Sequence, residues 1–132
     1  MSHENVELLR AFWETWKPGE DPDMSHLDPE VTYEDTSLPA HVGETYRGHK
    51  GVARALARWI EAYEEVTIEL EQVVDAGDRI VSIHRFRVKA RHTGIESGGL
   101  LAYLWTFRDG NIIHFRSYLD PEQAMEAAGL RA

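Results

Sequence analysis

The sequence predicts a single α+β domain, and three observations predict it. An amphipathic helical pattern opens the chain, four strand-like segments joined by tight glycine turns fill its second half, and a strong helix start follows the last strand. Helices first and a meander afterwards, with one early strand between them, is an α+β order rather than the alternation of a parallel βα fold. At 132 residues, without repeat, linker or low-complexity run, residues 1–132 make one domain. A domain of this size buries roughly two-thirds of its unfolded surface, so a core needs no metal or disulfide staple.

Val6, Leu9, Phe12 or Trp13, and Trp16 recur at helical spacing, with Ser2 placed as N-cap and Pro18-Gly19 as the stop. Asp21-Pro22-Asp23 has the cap-then-proline signature of a second, short helix ending near Leu27. In Val31-Thr32-Tyr33-Glu34-Asp35 the odd positions alternate with polar ones, as in a half-buried strand, so Asp35 shares the apolar face. Residues 36 to 48, with Pro39, Gly43 and Gly48, read as a loop. From His49, Val52, Leu56, Trp59, Ile60 and Tyr63 mark one helical face, with Arg54, Arg58 and Glu61 off it.

Strands are expected at about Val66 to Asp75, Arg79 to His92, Gly98 to Arg108 and Asn111 to Leu119. Turns at Ala76-Gly77-Asp78, Thr93-Gly94 and Asp109-Gly110 join them into an antiparallel meander. Asp120-Pro121-Glu122-Gln123 then supplies an N-cap, a proline at the first helical position and a glutamine at the third, and Gly129 is placed to end that helix.

Composition narrows function. The chain has no cysteine, which excludes a disulfide framework, a thiolate metal site and a cysteine nucleophile, and fits a reducing compartment; the cytoplasm is the expected location. The N-terminus lacks the basic-then-apolar order of a signal peptide, and no apolar run approaches the ~20 residues that span a bilayer, so a soluble protein is expected. Fourteen Lys+Arg against 23 Asp+Glu give a formal charge of −9, which argues against nucleic-acid or anionic-membrane partners. The basic stripe Arg85, Arg87, Lys89, Arg91 has no interleaved aromatics and reads as a solvated sheet face. The seven histidines form no tight metal motif, and no phosphate loop or nucleophile elbow is present, so neither metal nor cofactor is expected.

Strand alternation sorts the interior. Ile80, Ser82, His84, Phe86 and Val88 form the apolar face of their strand, which turns His84 inward. In the next strand Ala102, Leu104, Thr106 and Tyr103, Trp105, Phe107 are both apolar enough to be buried, so one set needs a covering partner.

The phrases TYRGHKGVARALARW and LWTFRDGNIIHFRSYLDPEQAMEAAGL, in this order of elements, resemble the SnoaL-like branch of the nuclear-transport-factor-two-like superfamily. The resemblance implies a cone-shaped α+β barrel: a strongly bent antiparallel sheet closed by three helices in the N-terminal half, with a pocket inside, a short C-terminal helix, and often a dimer on the outer sheet face. Likeness to ketosteroid isomerase implies that Asp35 is a general base and that Leu104 faces the pocket. Tyr103, Trp105 and Phe107 would then face outward, covered by a second subunit or by the C-terminal helix. By the same alignment Ile113, Phe115, Ser117 and Leu119 face the pocket.

A carboxylate among Val31, Tyr33 and pocket aromatics loses hydration, which suits it to take a proton from a carbon acid; a turn-capping aspartate is the plainer alternative. His84 beside it would act as hydrogen-bond donor, acid or base, or else as a buried structural histidine bonded to Ser82, a tyrosine or water. The isomerase's oxyanion donors fall at Phe12 and Leu104, so that site is expected to be absent. Asp120 matches an acid of SnoaL-like cyclases, although capping already explains it. Epoxide-hydrolase-like chemistry is disfavoured, because no acid lies between Ser82 and Lys89. Phe12, Trp13, Tyr33, Trp59, Ser82, Phe86, Leu104, Phe115 and Ser117 are the expected pocket residues, suited to a small apolar or aromatic ligand. Two functions follow: a cofactor-free isomerase, cyclase or dehydratase acting on an apolar carbonyl compound, or a non-catalytic binding or stress-related accessory protein.

Overall fold

The structure, a computed structural model, describes residues 2–15, 17, 20, 23–36 and 44–130. Helix α1 (Ser2–Thr15) leads to strands β1 (Leu27–Asp35) and β2 (Glu44–Arg47), helix α2 (Gly48–Ala62), strands β3 (Tyr63–Asp75), β4 (Arg79–Ala90), β5 (Glu96–Arg108) and β6 (Asn111–Tyr118), and helix α3 (Pro121–Ala127). The six strands form one curved, unclosed sheet in the order β2-β1-β6-β5-β4-β3. Every pairing is antiparallel except β1 with β6, so the expected all-antiparallel sheet is mixed at that seam. Irregularities between Tyr63 and Glu65, between Leu70 and Gln72 and between Thr106 and Phe107 interrupt the ladders, and such bulges bend the strands that carry them.

The expected elements form, with two exceptions. Where a second helix was expected to end near Leu27, residues 23–26 turn and Leu27 already begins β1. The Asp23 carboxylate accepts from the Ser25 amide at 2.9 Å and the Leu27 amide donates to the Met24 carbonyl at 3.0 Å, a local turn that competes with helix. Two of the three described helices therefore precede the meander. The second exception is β2, inside the segment read as a loop and too short for periodicity to reveal. Tyr46 pairs with Tyr33 across it, and Arg58 of α2 holds it by bonds to Glu44 at 2.6 Å and to the Tyr46 hydroxyl at 3.0 Å. Trp16, Pro18, Gly19, Asp21, Pro22, Pro39, His41 and Gly43 lie outside the described residues, as does the Ser2 side chain.

The inner face of the sheet packs against α1 and α2 in one apolar cluster that includes Leu9, Val31, Val52, Ala55, Trp59, Ile80 and Leu101. On α2, Val52 and Trp59 are buried and Leu56 packs against the core as expected, whereas Ile60 is 37% exposed and Ala55 takes an inner place instead. On the outer face, Val81, Ala102 and Leu104 are covered by Ala124 and Ala128 of α3. Asp120 caps α3 as expected, accepting from the Glu122 amide at 3.0 Å. The basic stripe is an outer, solvated row: Arg85 pairs with Glu71 and Lys89 with Glu64. Arg91 instead donates to the carbonyls of Ile60, Glu61 and Tyr63, closing the C-terminal end of α2. Among the described residues, no helix is long and apolar enough to cross a membrane.

Strand β5 faces the opposite way from the expectation. Tyr103, Trp105 and Phe107 lie in the inner cluster and Leu104 lies outside, under α3. β5 alternates without a break in register with β4, and the shift relative to the expectation lies on β6. Arg108 pairs with Asn111 and Phe107 with Ile112, but Thr106 then pairs with His114, so Ile113 is an extra residue on β6. From there Trp105 opposes Phe115 and Tyr103 opposes Ser117, whereas an uninterrupted hairpin would have set Leu104 beside Phe115. Phe115 and Ser117 point inward as expected, Ile112 takes the inner place expected of Ile113, and Leu119 is half exposed. Buried against the core, the three aromatics of β5 offer no surface to a second subunit.

Close approach fixes one glycine. A Cβ on Gly98 would stand 2.6 Å from the Phe86 carbonyl oxygen, whereas one on Gly99 would meet only the Phe86 ring at ordinary contact distance. Gly98→Ala is expected to destabilise the domain by about 1–3 kcal/mol and Gly99→Ala by much less, read as the difference in urea unfolding midpoints; equal midpoints would contradict this packing of β4 on β5.

Candidate functional site

A cavity of about 370 Å³ opens between α1, the start of β1, α2 and the inner face of β5 and β6. Phe12 and Trp13 of α1, Tyr33 of β1, Tyr103 and Trp105 of β5 and Phe115 of β6 supply its aromatic wall, and Leu8, Leu9, Leu27, Val52, Leu56 and Ile112 its aliphatic wall. Glu20, Asp23 and His26 are its charged or ionisable lining. The aromatic wall follows from register. Tyr46, Tyr33, Phe115 and Trp105 are successive cross-strand partners, with ring centroids 6.0, 4.3 and 4.7 Å apart. The rings of that row stack on one another, and those of Tyr33, Phe115 and Trp105 form one wall of the cavity, an aromatic slot.

A second row runs beside the first, two residues along each strand, and it is polar. Ser117 donates to Asp35 at 3.3 Å and accepts from the Thr36 amide at 2.8 Å. Thr36 also donates through its hydroxyl to the Ser117 carbonyl. Tyr103 opposes Ser117 on one side and Ser82 on the other. Ser82 Oγ accepts from the Trp105 indole at 2.7 Å and lies 2.8 Å from His84 Nε2. Asp35, Ser82, His84 and Ser117 all have zero exposure.

Burial sets the protonation of this row. It is the largest cause that raises the Tyr33 and Tyr103 phenols above their ordinary range, and the nearby Asp35 charge raises both further. Both phenols are therefore neutral hydrogen-bond donors, and both line the cavity. His84 is pushed down to about 3 by burial, so its imidazole is neutral. Its Nδ1 is buried with no hydrogen-bond partner among the described residues, an arrangement that costs about 1–3 kcal/mol.

Of the expected pocket residues, Phe12, Trp13, Tyr33 and Phe115 line the cavity. Ser82 and Ser117 lie behind it in the polar row. Trp59 packs in the core against Tyr63, at 5.6 Å between ring centroids. Phe86 lines a different, polar depression with Arg85, Arg87 and Gly98. Leu104 is on the other side of the sheet, and Asp120 is exposed at the α3 cap. Asp35 and His84 are inside the fold as expected, but neither lines the cavity: the rings of Tyr33, Tyr103 and Trp13 do. Tyr103 and Trp105 were assigned to the outer face because alternation alone cannot orient a strand whose two faces are both apolar. The pairing with Ser82 would have oriented it, since antiparallel partners share a face.

A bent sheet backed by helices, with an aromatic slot and a buried carboxylate row behind it, defines a cone-shaped α+β pocket protein. The chain belongs to the SnoaL-like domain family, whose match spans residues 9–115. Among solved structures it is similar to a nuclear-transport-factor-two-like protein from Burkholderia thailandensis E264, at 25% identity over 94% of this chain and 96% of that one, with a TM-score of 0.76. It is similar also to TerC crystallised with polyporic acid, at 20% identity, 96% and 98% coverage and a TM-score of 0.75. A third is a protein of ketosteroid isomerase-like fold from Catenulispora acidiphila DSM 44928 in complex with trimethylamine, at 19% identity, 99% and 96% coverage and a TM-score of 0.70. No functionally curated protein matches the sequence.

The neutral, buried state of His84 couples folding to pH. Its ordinary value is 6.5 and its folded value about 3, so between them the unfolded chain takes up a proton that the native chain refuses. Stability is then complete above about pH 6.5 and falls as pH drops toward 3, with a slope of up to about 1.4 kcal/mol per pH unit from this residue. In urea titrations between pH 7 and pH 4.5, a His84→Phe variant is expected to lose stability less steeply than the parent by about one proton's worth. Parallel slopes would mean that His84 titrates alike in both states.

Proposed function

We propose that the chain binds a small, flat, largely apolar carbonyl compound in the aromatic slot and catalyses cofactor-free proton transfer on it, as an isomerase, cyclase or dehydratase does. The observation that carries this reading is the pairing of two neutral phenols on the cavity wall, Tyr33 and Tyr103, with the buried Asp35 carboxylate behind them. In it, Asp35 is the base that removes a proton from the carbon beside the carbonyl. The phenols donate to the oxygen on which the enolate charge develops, the role of preorganised donors in a water-poor site. These two tyrosines replace the oxyanion donors that the sequence alone seemed to lack at Phe12 and Leu104. TerC, a structural relative of the same fold, was co-crystallised with polyporic acid.

A second reading rests on the zero exposure of Asp35. A base must reach its proton, so the ligand has to part Tyr33 and Tyr103 to meet it. A ligand that stops at the phenols is held without being turned over, and the chain is then a binding or accessory protein.

Exchange of the α-protons of 1-indanone for deuterium, followed by proton NMR, separates the two. The parent protein is expected to accelerate the exchange, and Asp35→Asn to lower that acceleration by about 10²-fold or more. Acceleration that survives in Asp35→Asn removes Asp35 as the base. Binding of the ketone with no acceleration in the parent establishes the second reading.

A further inference from the structure

Resting on the reading of the slot as a carbonyl-binding pocket, we infer that it has a deeper subsite, covered by the Trp13 indole, in which the Nδ1–H of His84 donates to an acceptor oxygen of the ligand.

The argument begins with a count of donors and acceptors around Ser82. The Trp105 indole can only donate, and it donates to Ser82 Oγ. The Ser82 hydroxyl has one proton to place, and among the described residues its other side-chain partner is His84 Nε2 at 2.8 Å. If Ser82 donates there, Nε2 is the acceptor and the proton of the neutral ring sits on Nδ1. The opposite tautomer would bring two N–H groups to one hydroxyl oxygen, leave the hydroxyl proton without an acceptor, and leave Nδ1 as a buried unpaired acceptor as well. One arrangement strands a single group, the other two. The Nδ1–H tautomer is favoured, and the stranded group is then a donor.

Aromatic rings flank the imidazole that carries this donor. The Trp13 ring lies 4.3 Å from the imidazole between centroids, tilted at 53°, and Tyr103 meets the imidazole edge-on at 5.4 Å. Trp13 and Tyr103 both line the slot, while His84 does not. The imidazole is thus one ring thickness behind the cavity wall. The contacts of Trp13 include stacking and edge contacts to Phe12, Tyr103 and Trp105, and a flat ligand offers contacts of the same kind. A ligand oxygen placed under the displaced indole would satisfy Nδ1–H at no new desolvation of the ring. A buried donor on a histidine that stays neutral across the physiological range selects carbonyl, quinone or phenolate oxygens and gives nothing to a hydrocarbon or to an ammonium group.

Two measurements test this. Long-range proton–nitrogen correlation spectra of the ligand-free parent protein report the His84 tautomer directly; protonated Nδ1 is expected, and protonated Nε2 would overturn the inference. Binding of 1-indanone and of indane, the same bicycle without the oxygen, is then compared by tryptophan fluorescence. The ketone is expected to bind about tenfold more tightly in the parent, with a shift of the His84 Nδ1–H resonance that indane does not produce. The preference is expected to shrink in His84→Phe, with the Tyr33 and Tyr103 phenols keeping the remainder, and an undiminished preference would overturn the subsite; should that variant not fold, the parent spectra decide alone. Binding of the ketone without a shift of the His84 Nδ1–H resonance overturns the donor subsite while leaving the slot as a binding pocket. Binding of neither overturns the pocket reading with it.

Discussion

One extra residue on a strand, Ile113, determines what this cavity is. A sheet has a side-chain period of two, so any shift of one residue exchanges its faces. The bulge between Thr106 and Phe107 makes that shift where β5 leaves its hairpin with β6. Beyond it, Trp105 comes level with Phe115 and Tyr103 with Ser117, and both cross-strand rows assemble. Without it β6 would turn over against β5, and His114 and Arg116 would oppose Trp105 and Tyr103 where Phe115 and Ser117 now stand. The Phe115 part of the wall and the Ser117 bond to Asp35 depend on that register, while the indole bond to Ser82 rests on the unbroken pairing of β4 with β5.

The two rows also constrain each other. The aromatic row excludes water from the polar row, which keeps the phenols and the imidazole neutral. The polar row in turn fixes the aromatics: Trp105 cannot rotate without breaking its bond to Ser82, and Tyr103 is confined between Ser82 and Ser117 by pairing on both sides. An apolar core of similar volume would tolerate many rotamers. A buried hydrogen-bonded network tolerates few, because each broken bond strands a desolvated group.

Much of this was legible in the chain and some was not, for identifiable reasons. Asp35 was placed by alternation with Val31 and Tyr33, and α3 by the Asp120-Pro121 start, because those signals lie within a few residues of what they specify. Short-range turn chemistry also located every hairpin of the meander. The orientation of β5 was hidden because Ala102, Leu104, Tyr103 and Trp105 are all apolar, so both faces look buried, and both are: one against the helices at its front, the other beneath α3. The bulge leaves no composition signal, since Ile112 and Ile113 are the same residue type. The turn at Asp23 used a cap residue that is equally at home before a helix, and only the tertiary partners of Leu27 distinguish the two outcomes.

The same ambiguity bears on how function should be read in this fold. Aligning the chain on ketosteroid isomerase places Asp35 inside the fold, where it lies, and turns Leu104 inward, where it does not. Tyr33 and Tyr103 reach the cavity from β1 and β5, where the alignment expected donors from α1 and from position 104. An alignment compares positions along strands, whereas chemistry depends on which face a position presents. In a strongly bent sheet with several bulges these differ, and the donors around Asp35 have to be read from cross-strand pairing: Asp35 to Ser117, Ser117 to Tyr103, Tyr103 to Ser82.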